Sequence, residues 1–274
     1  MPTLPCELLD HIVDILHCSQ APSQKLLRNC CLVSKSWVPS TRKHLFAEIN
    51  FKTAKSLKSW KKTFPDPSTS PARYTKVLSI GGPEVVKTAD VEGRRQWIKA
   101  FSRVVCLVMD GGSWYYPPAR GWVPACILLR GISPVIKSLR VKHVFFSSPR
   151  LFDLILSFPL LEDLDVVGCR SLPVGGGGAS DGLPVVVQQA SSLPVFGGSL
   201  DLDINKGMGP IARRLLSLPG DIHFRKLTLK LFCEEDIPLT AALVGRCSHT
   251  LESLDITCNN SRGTSIGPSA PARK

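Results

Sequence analysis

Leu161-Glu162-Asp163-Leu164-Asp165-Val166-Val167-Gly168-Cys169 is the stretch from which the fold is read. Leu164 and Val166 alternate with Asp163 and Asp165, the two-residue period of a strand with one buried face. Leu161 ahead of them and Cys169 behind complete an L-x-x-L-x-L-x-x-N/C pattern. Leu251-x-x-Leu254-x-Ile256-x-x-Asn259 repeats it, and Phe224-x-x-Leu227-x-Leu229 carries its first half. Weaker copies are Ile136-x-x-Leu139-x-Val141, Leu200-x-Leu202-x-x-Asn205, Thr75-x-x-Leu78-x-Ile80 and Val105-x-Leu107. With one marker per copy, at 78, 105, 139, 164, 200, 227 and 254, the gaps are 27, 34, 25, 36, 27 and 27. Four of the six fall within the ~20–29 residues of a short strand-containing repeat.

The two long gaps hold loop-forming sequence. Gly111-Gly112-Ser113-Trp114-Tyr115-Tyr116-Pro117-Pro118 lies in one, and Gly175 to Gly178 with a Pro/Gly/Ser-rich run to Ser199 lies in the other. Between strands, Pro149 to Phe158 and Gly209 to Leu218 have helical periodicity. The expected fold is therefore α/β, with parallel strands backed by helices in units of ~27 residues that must stack to bury their apolar faces. Buried strands of some other α/β domain are the competing reading. Alternate strand positions, including Glu162, Asp163, Asp165, Lys226, Thr228, Lys230, Glu252, Ser253 and Asp255, become candidate partner contacts.

The N-terminal segment changes period. Leu4-Pro5-Cys6-Glu7-Leu8-Leu9 opens a helix with Thr3 as cap, Pro5 in the first turn and Glu7 early. Its apolar positions 8, 9, 12, 13, 15 and 16 exceed a single stripe, so the helix needs cover on two sides. A second helix carries Leu26, Cys30, Val33 and Trp37 along one face, with Leu27 and Cys31 beside it. Ser34 ends it, Pro39 suits the first turn of a third helix, and Glu48 to Phe51 is strand-like.

Leu4-Pro5-x-Glu7-Leu8-Leu9, Ile12, Ile15-Leu16, Leu26-Leu27 and Cys31-Leu32-Val33-Ser34-Lys35-x-Trp37 together resemble an F-box, a three-helix module. Arg42-Lys43-His44-Leu45-Phe46 is similar to the ending of many F-box-like proteins, while Gln20 to Ser23 departs from the acidic residue common there. The resemblance covers residues 4 to about 46. It implies docking to the Skp-type adaptor of a Skp–cullin–F-box ubiquitin ligase through Leu4, Pro5, Leu8, Leu9, Ile12, Leu16, Leu26, Leu27, Leu32, Val33 and Trp37. An F-box followed by a leucine-rich-repeat-like solenoid of parallel strands and helices is similar to the substrate receptors of those ligases. That architecture implies a cullin reached through the adaptor and a protein substrate held by the repeats. A repeat scaffold with a non-functional F-box remains the alternative.

The resulting organisation is a helical module at 1–50, a basic connector at 51–72, a repeat region at 73–258 with insertions near 111–124 and 171–199, and a disordered tail at 259–274. The 274 residues are 43% hydrophobic and 20% charged, a globular composition, with a net charge of +12. Residues 1–80 hold 12 Lys+Arg against 5 Asp+Glu. Lys52, Lys55, Lys58 and Lys62, interleaved with Trp60 and Phe64, raise a nucleic-acid-binding module as a further alternative. Leu57 and Phe64 at helical spacing turn toward a core and leave the lysines as a solvated face, which argues against nucleic acid.

No catalytic residue, cofactor or metal site is expected. Gly175 to Gly178 lacks the lysine of a phosphate loop, and the six histidines show no ligand spacing. Ten cysteines contain no C-x-x-C pair, so they read as buried thiols. Glu7, Asp10 and Asp14 stand where a secretory signal would be apolar, and no run is long enough to span a membrane. The expected location is cytoplasmic and/or nuclear, away from membranes.

Overall fold

The computed structural model describes residues 5–18, 24–86, 96–112, 114, 129, 131–146, 148–171, 194, 196–205, 209–219, 222–231 and 236–258. Leu4, most of both expected insertions and the expected tail lie outside the described residues. Three helices come first: α1 (Cys6–Cys18), α2 (Gln24–Val33) and α3 (Val38–Leu45). Between the last two, Ser34 caps a single 3-10 turn, its Oγ accepting the Ser36 N–H at 3.1 Å. Pro39 sits in the first turn of α3, where the N–H it lacks has no helical partner anyway.

A nine-stranded parallel sheet follows among the described residues: β1 (Glu48–Phe51), β2 (Val77–Ile80), β3 (Cys106–Asp110), β4 (Ser138–Lys142), β5 (Phe145–Phe146), β6 (Asp163–Ser171), β7 (Ser199–Asn205), β8 (Lys226–Leu231) and β9 (Ser253–Cys258). The order is β1-β2-β3-β4-β6-β7-β8-β9, with the short β5 pairing β6. Strand order thus equals chain order, with no reversal. Parallel neighbours need long crossovers, and these have one hand. Among the described residues the helices between strands accordingly pack on one face of the sheet, and none covers the opposite face. A doubly wound sheet, whose order reverses, would cover both.

Two apolar ladders fill the covered side. Ile49, Leu78, Leu107, Leu139, Leu164, Leu200, Leu227 and Leu254 stand in register across the sheet. Phe51, Ile80, Met109, Val141, Val166, Leu202, Leu229 and Ile256 form the second, two residues on. Helices α6 (Ser148–Ile155), α7 (Gly209–Leu216) and α8 (Asp236–Cys247) add Leu154, Ile155, Ile211, Leu215 and Leu243 to the same core. The short α5 (Pro83–Val86) contributes Val85. Successive units are also joined ahead of each strand. Cys106, Ser138, Asp163 and Ser253 donate their backbone N–H to Lys76, Val105, Lys137 and Arg225 of the preceding unit.

The register corrects the repeat frame in one place. The second marker is Leu107, not Val105, because Leu107 pairs Leu78 and Leu139. With Ile49 included, the spacings become 29, 29, 32, 25, 36, 27 and 27. The segment 51–72 is also more than a connector. Phe51 closes β1, and α4 (Ala54–Thr63) packs Leu57 into the sheet core. A capping box at Thr53 and Ser56 starts α4. Trp60 lies 5.8 Å from both Phe46 and Phe51 and 4.6 Å from Phe64, centroid to centroid. The aromatics between the lysines are thereby committed to a cluster, while Lys55, Lys58 and Lys62 remain exposed.

One bulge interrupts the ladder, between Val167 and Cys169, where Gly168 takes φ 62°. A Cβ on Gly168 would stand 2.6 Å from His143 Nδ1, so the close approach needs glycine. Cys169 turns inward and donates to the Val141 carbonyl at 3.3 Å. Burial pushes its thiol up to about 11, which keeps it protonated and unreactive at neutral pH.

Candidate interaction surfaces

The helical module is held together by polar contacts between α1 and α3. Ser40 Oγ donates to Asp10, Lys43 Nζ lies 3.0 Å from the other Asp10 oxygen, and His44 Nε2 lies 2.9 Å from Asp14. The Ser40 hydroxyl and then the Lys43 ammonium hold the Asp10 carboxyl below its usual range. Thr41, fully buried, donates to the Trp37 carbonyl at 2.7 Å and meets Cys31 Sγ at 2.9 Å, which ties α2 to α3.

This arrangement sorts the expected docking residues. Leu9 and Leu27 are buried with Val13 and Cys30, so they build the module rather than face a partner. Ile12, Leu16 and Trp37 are partly buried, and Pro5 is exposed. Leu8 is 49% exposed, Leu26 39%, Leu32 84% and Val33 68%. Ile15, which the family pattern did not place among the docking residues, is 57% exposed. The broad apolar surface of α1 is therefore divided: Leu9 and Val13 are covered by the chain itself, whereas Leu8 and Ile15 are not. These exposed aliphatic residues on two short helices make this end of the chain a candidate interaction surface.

The second surface is the bare face of the sheet. Its central row runs Asn50, Ser79, Val108, Arg140, Asp165, Asp201, Thr228 and Asp255 in register. A shallow cavity of about 160 Å³ opens here, lined by Arg140, Asp163, Asp165, Ser199, Asp201 and Lys226 among others. Asp163 Oδ1 accepts the Ser199 N–H at 2.7 Å and its hydroxyl at 2.8 Å. Gly198 permits this approach, since a Cβ there would overlap the same oxygen. Lys230 Nζ meets Asp203 Oδ2 at 2.6 Å.

Asp165 and Asp201 are different. They are cross-strand neighbours, and the Oδ1 of each is shut off from solvent with no hydrogen-bond partner among the described residues. Burial pushes both carboxyls up. The Asp165 charge raises Asp201 further, while Arg140 and Lys142 partly offset the rise at Asp165, and Lys230 and Lys226 that at Asp201. Sequence reading marked Asp163 and Asp165 but passed over Arg140, Ser199 and Asp201. The alternation Leu200-Asp201-Leu202 was the available signal.

A raised carboxyl opposes folding in its charged form. The penalty exists above the folded-state pKa and is relieved as pH falls through it. Asp165→Asn or Asp201→Asn is expected to stabilise the chain at pH 7 by about 0.5 kcal/mol, because the amide carries no charge for burial to penalise and solvent screens part of that penalty at a half-buried carboxyl. The advantage shrinks toward pH 4. Urea denaturation at both pH values measures it, and a variant less stable than wild type at pH 7 contradicts it.

Among the described residues no group of His, Cys, Asp and Glu could hold a metal ion, and no helix is long and apolar enough to cross a membrane. Compared with known proteins, the sequence matches no family model and no curated protein.

Proposed function

We propose that this chain is the substrate-binding subunit of a Skp–cullin–F-box ubiquitin ligase. In this reading α1–α3 form an F-box that docks a Skp-type adaptor and, through it, a cullin. The one-sided sheet is a leucine-rich-repeat-like solenoid whose bare face receives a protein substrate. The observation that carries the reading is the set of exposed aliphatic residues on α1 and α2, Leu8, Ile15, Leu26, Leu32 and Val33, on a module already packed internally through Leu9, Val13, Leu27 and Cys30. A folded module that leaves such residues in water has its hydrophobic contact elsewhere. The second support is the division of the chain into this module and a sheet with one open face, which separates ligase contact from substrate contact.

The direct experiment is co-purification of the full chain with a purified Skp-type adaptor. A stable complex at micromolar concentration is expected, with a cullin retained only when the adaptor is present. Absence of a complex under these conditions overturns the proposal and leaves a repeat scaffold. The basic-module alternative has lost its stacking partners, because Trp60 and Phe64 pack on Phe46.

A further inference from the structure

The sheet order ends on β1 and β9, and these two edges differ. β1 is four residues long, and its core-facing Ile49 and Phe51 are buried, Phe51 against Trp60. β9 runs six residues without a proline, a lysine or a bulge, the features that ordinarily guard an open edge. Its core-facing Leu254 and Ile256 are half-exposed, although every other residue of the same two ladders is buried. The last helix is open as well. α8 packs against α7, and its Ile237, Pro238, Ala241, Ala242 and Gly245 are exposed and carry no charge. The two charged residues of α8 turn elsewhere: Asp236 is buried, and Arg246 donates to the Leu216 and Leu218 carbonyls.

Backbone geometry sets which strand fits this edge. Ser253 donates its N–H to the Arg225 carbonyl, and in a parallel pair alternate residues of a strand direct their backbone groups to opposite sides. Ser253, Asp255 and Thr257 therefore bond β8, whereas the N–H and C=O of Leu254, Ile256 and Cys258 face outward. An antiparallel copy of β9 with Ile256 opposite Ile256 satisfies all three, because Leu254 then stands opposite Cys258 and each such pair exchanges two hydrogen bonds. The same register keeps apolar against apolar and sets Asp255 against Thr257. Sliding the copy by two residues one way puts Asp255 opposite Asp255, a destabilising pair of like charges. Sliding it the other way carries Leu254 past the end of β9.

Charge and composition also favour a copy. Residues 226–258 hold 3 Lys+Arg against 5 Asp+Glu, so the positive excess of the chain lies elsewhere and does not hold these ends apart. Residues 259–274 contain one large aliphatic side chain, Ile266, where two apolar rows need cover. We infer that β9 is a self-association edge: two copies of this chain pair their β9 strands antiparallel about a two-fold axis at Ile256, with the uncharged faces of α8 flanking the axis. The axis is perpendicular to the sheet, so the two bare faces join on one side and the two helical modules stand at opposite ends. The inference does not depend on the ligase reading.

Sedimentation equilibrium of the full chain tests it. Three residue pairs and a narrow apolar contact make a small interface, so a reversible monomer–dimer equilibrium in the micromolar range is expected, and dilute chains keep β9 open. Ile256→Lys, which sets two ammonium groups together on the axis, should raise the dissociation constant at least about 30-fold while leaving the melting temperature of the dilute chain unchanged. Cross-linking reads the register. In a hydrogen-bonded antiparallel pair the Cα atoms lie about 5.5 Å apart, within reach of a disulfide. Leu254→Cys should therefore form a covalent dimer with Cys258 of the second copy under mild oxidation, and lose it when Cys258→Ser is added. A chain that stays monomeric at tens of micromolar, whether a foreign strand or its own residues 259–274 cover β9, overturns the inference. So does a dimer that survives Ile256→Lys, or a Leu254→Cys variant that cross-links no more than wild type.

Discussion

Leu32→Asp combined with Val33→Asp is expected to weaken binding of a Skp-type adaptor by at least about 100-fold while leaving the melting temperature within ~2 °C of wild type. Among the described residues of the helical module the two are the most exposed large apolar side chains, at 84% and 68%. Substitution at positions so open costs the fold little, typically within ~0.5 kcal/mol. In a complex the same positions lie against apolar partner surface. There an aspartate loses the aliphatic contact and must also shed water from its charge. Central anchors contribute ~2 kcal/mol or more each, and two losses of that size amount to more than the ~2.8 kcal/mol of a 100-fold change. Calorimetric titration of adaptor into chain, with a thermal melt of the free chain, measures both halves. An affinity within ~3-fold of wild type would remove α2 from the interface. Leu27→Asp supplies the contrast: it should abolish binding by unfolding the module, since Leu27 is only 3% exposed.

Leu200→Ala is the second large effect, expected to cost about 2–5 kcal/mol in denaturant-measured stability. Leu200 is fully buried between Leu164 and Leu227 of the apolar ladder. The neighbouring strands and the helical layer hold the space it would vacate, so the cavity cannot readily collapse. Leu254→Ala, at the same ladder position on β9, should cost under ~1 kcal/mol. β9 is the last strand in the sheet order, and Leu254 and Ile256 are 45% and 41% exposed. Similar losses at the two positions would contradict the one-sided core.

Much of the strand layer was legible because period two is local: Leu164 with Val166 and Leu227 with Leu229 state their own face. The helices at 148–155 and 209–216 were legible for the same reason at period 3.6. Legibility fades where local pattern is short. Glu48 to Phe51 reads as strand-like, but four residues do not announce a place in the sheet; Leu57 reads as inward from its helical spacing, whereas Trp60 among the lysines does not. Val105 and Leu107 are both apolar and two residues apart, so local pattern admits either as the marker; only pairing with Leu78 selects Leu107.

The candidate surfaces divide along the same line. That α1 has more apolar surface than one neighbour can cover is written in its sequence. Which leucines stay uncovered was decided by the packing of α1 against α3 and of α2 against α3, which buried Leu9 and Leu27 and left Leu8, Leu26 and Leu32 outside. Asp165 and Asp201 are each ordinary outward residues of their strands. Their pairing across 36 residues of chain exists only once β6 and β7 are in register. By itself, then, the sequence determined which residues turn toward a core and how often, because side-chain alternation follows from backbone geometry alone. The tertiary structure decided which residues meet, because pairing, desolvation and the placing of charges depend on neighbours distant along the chain.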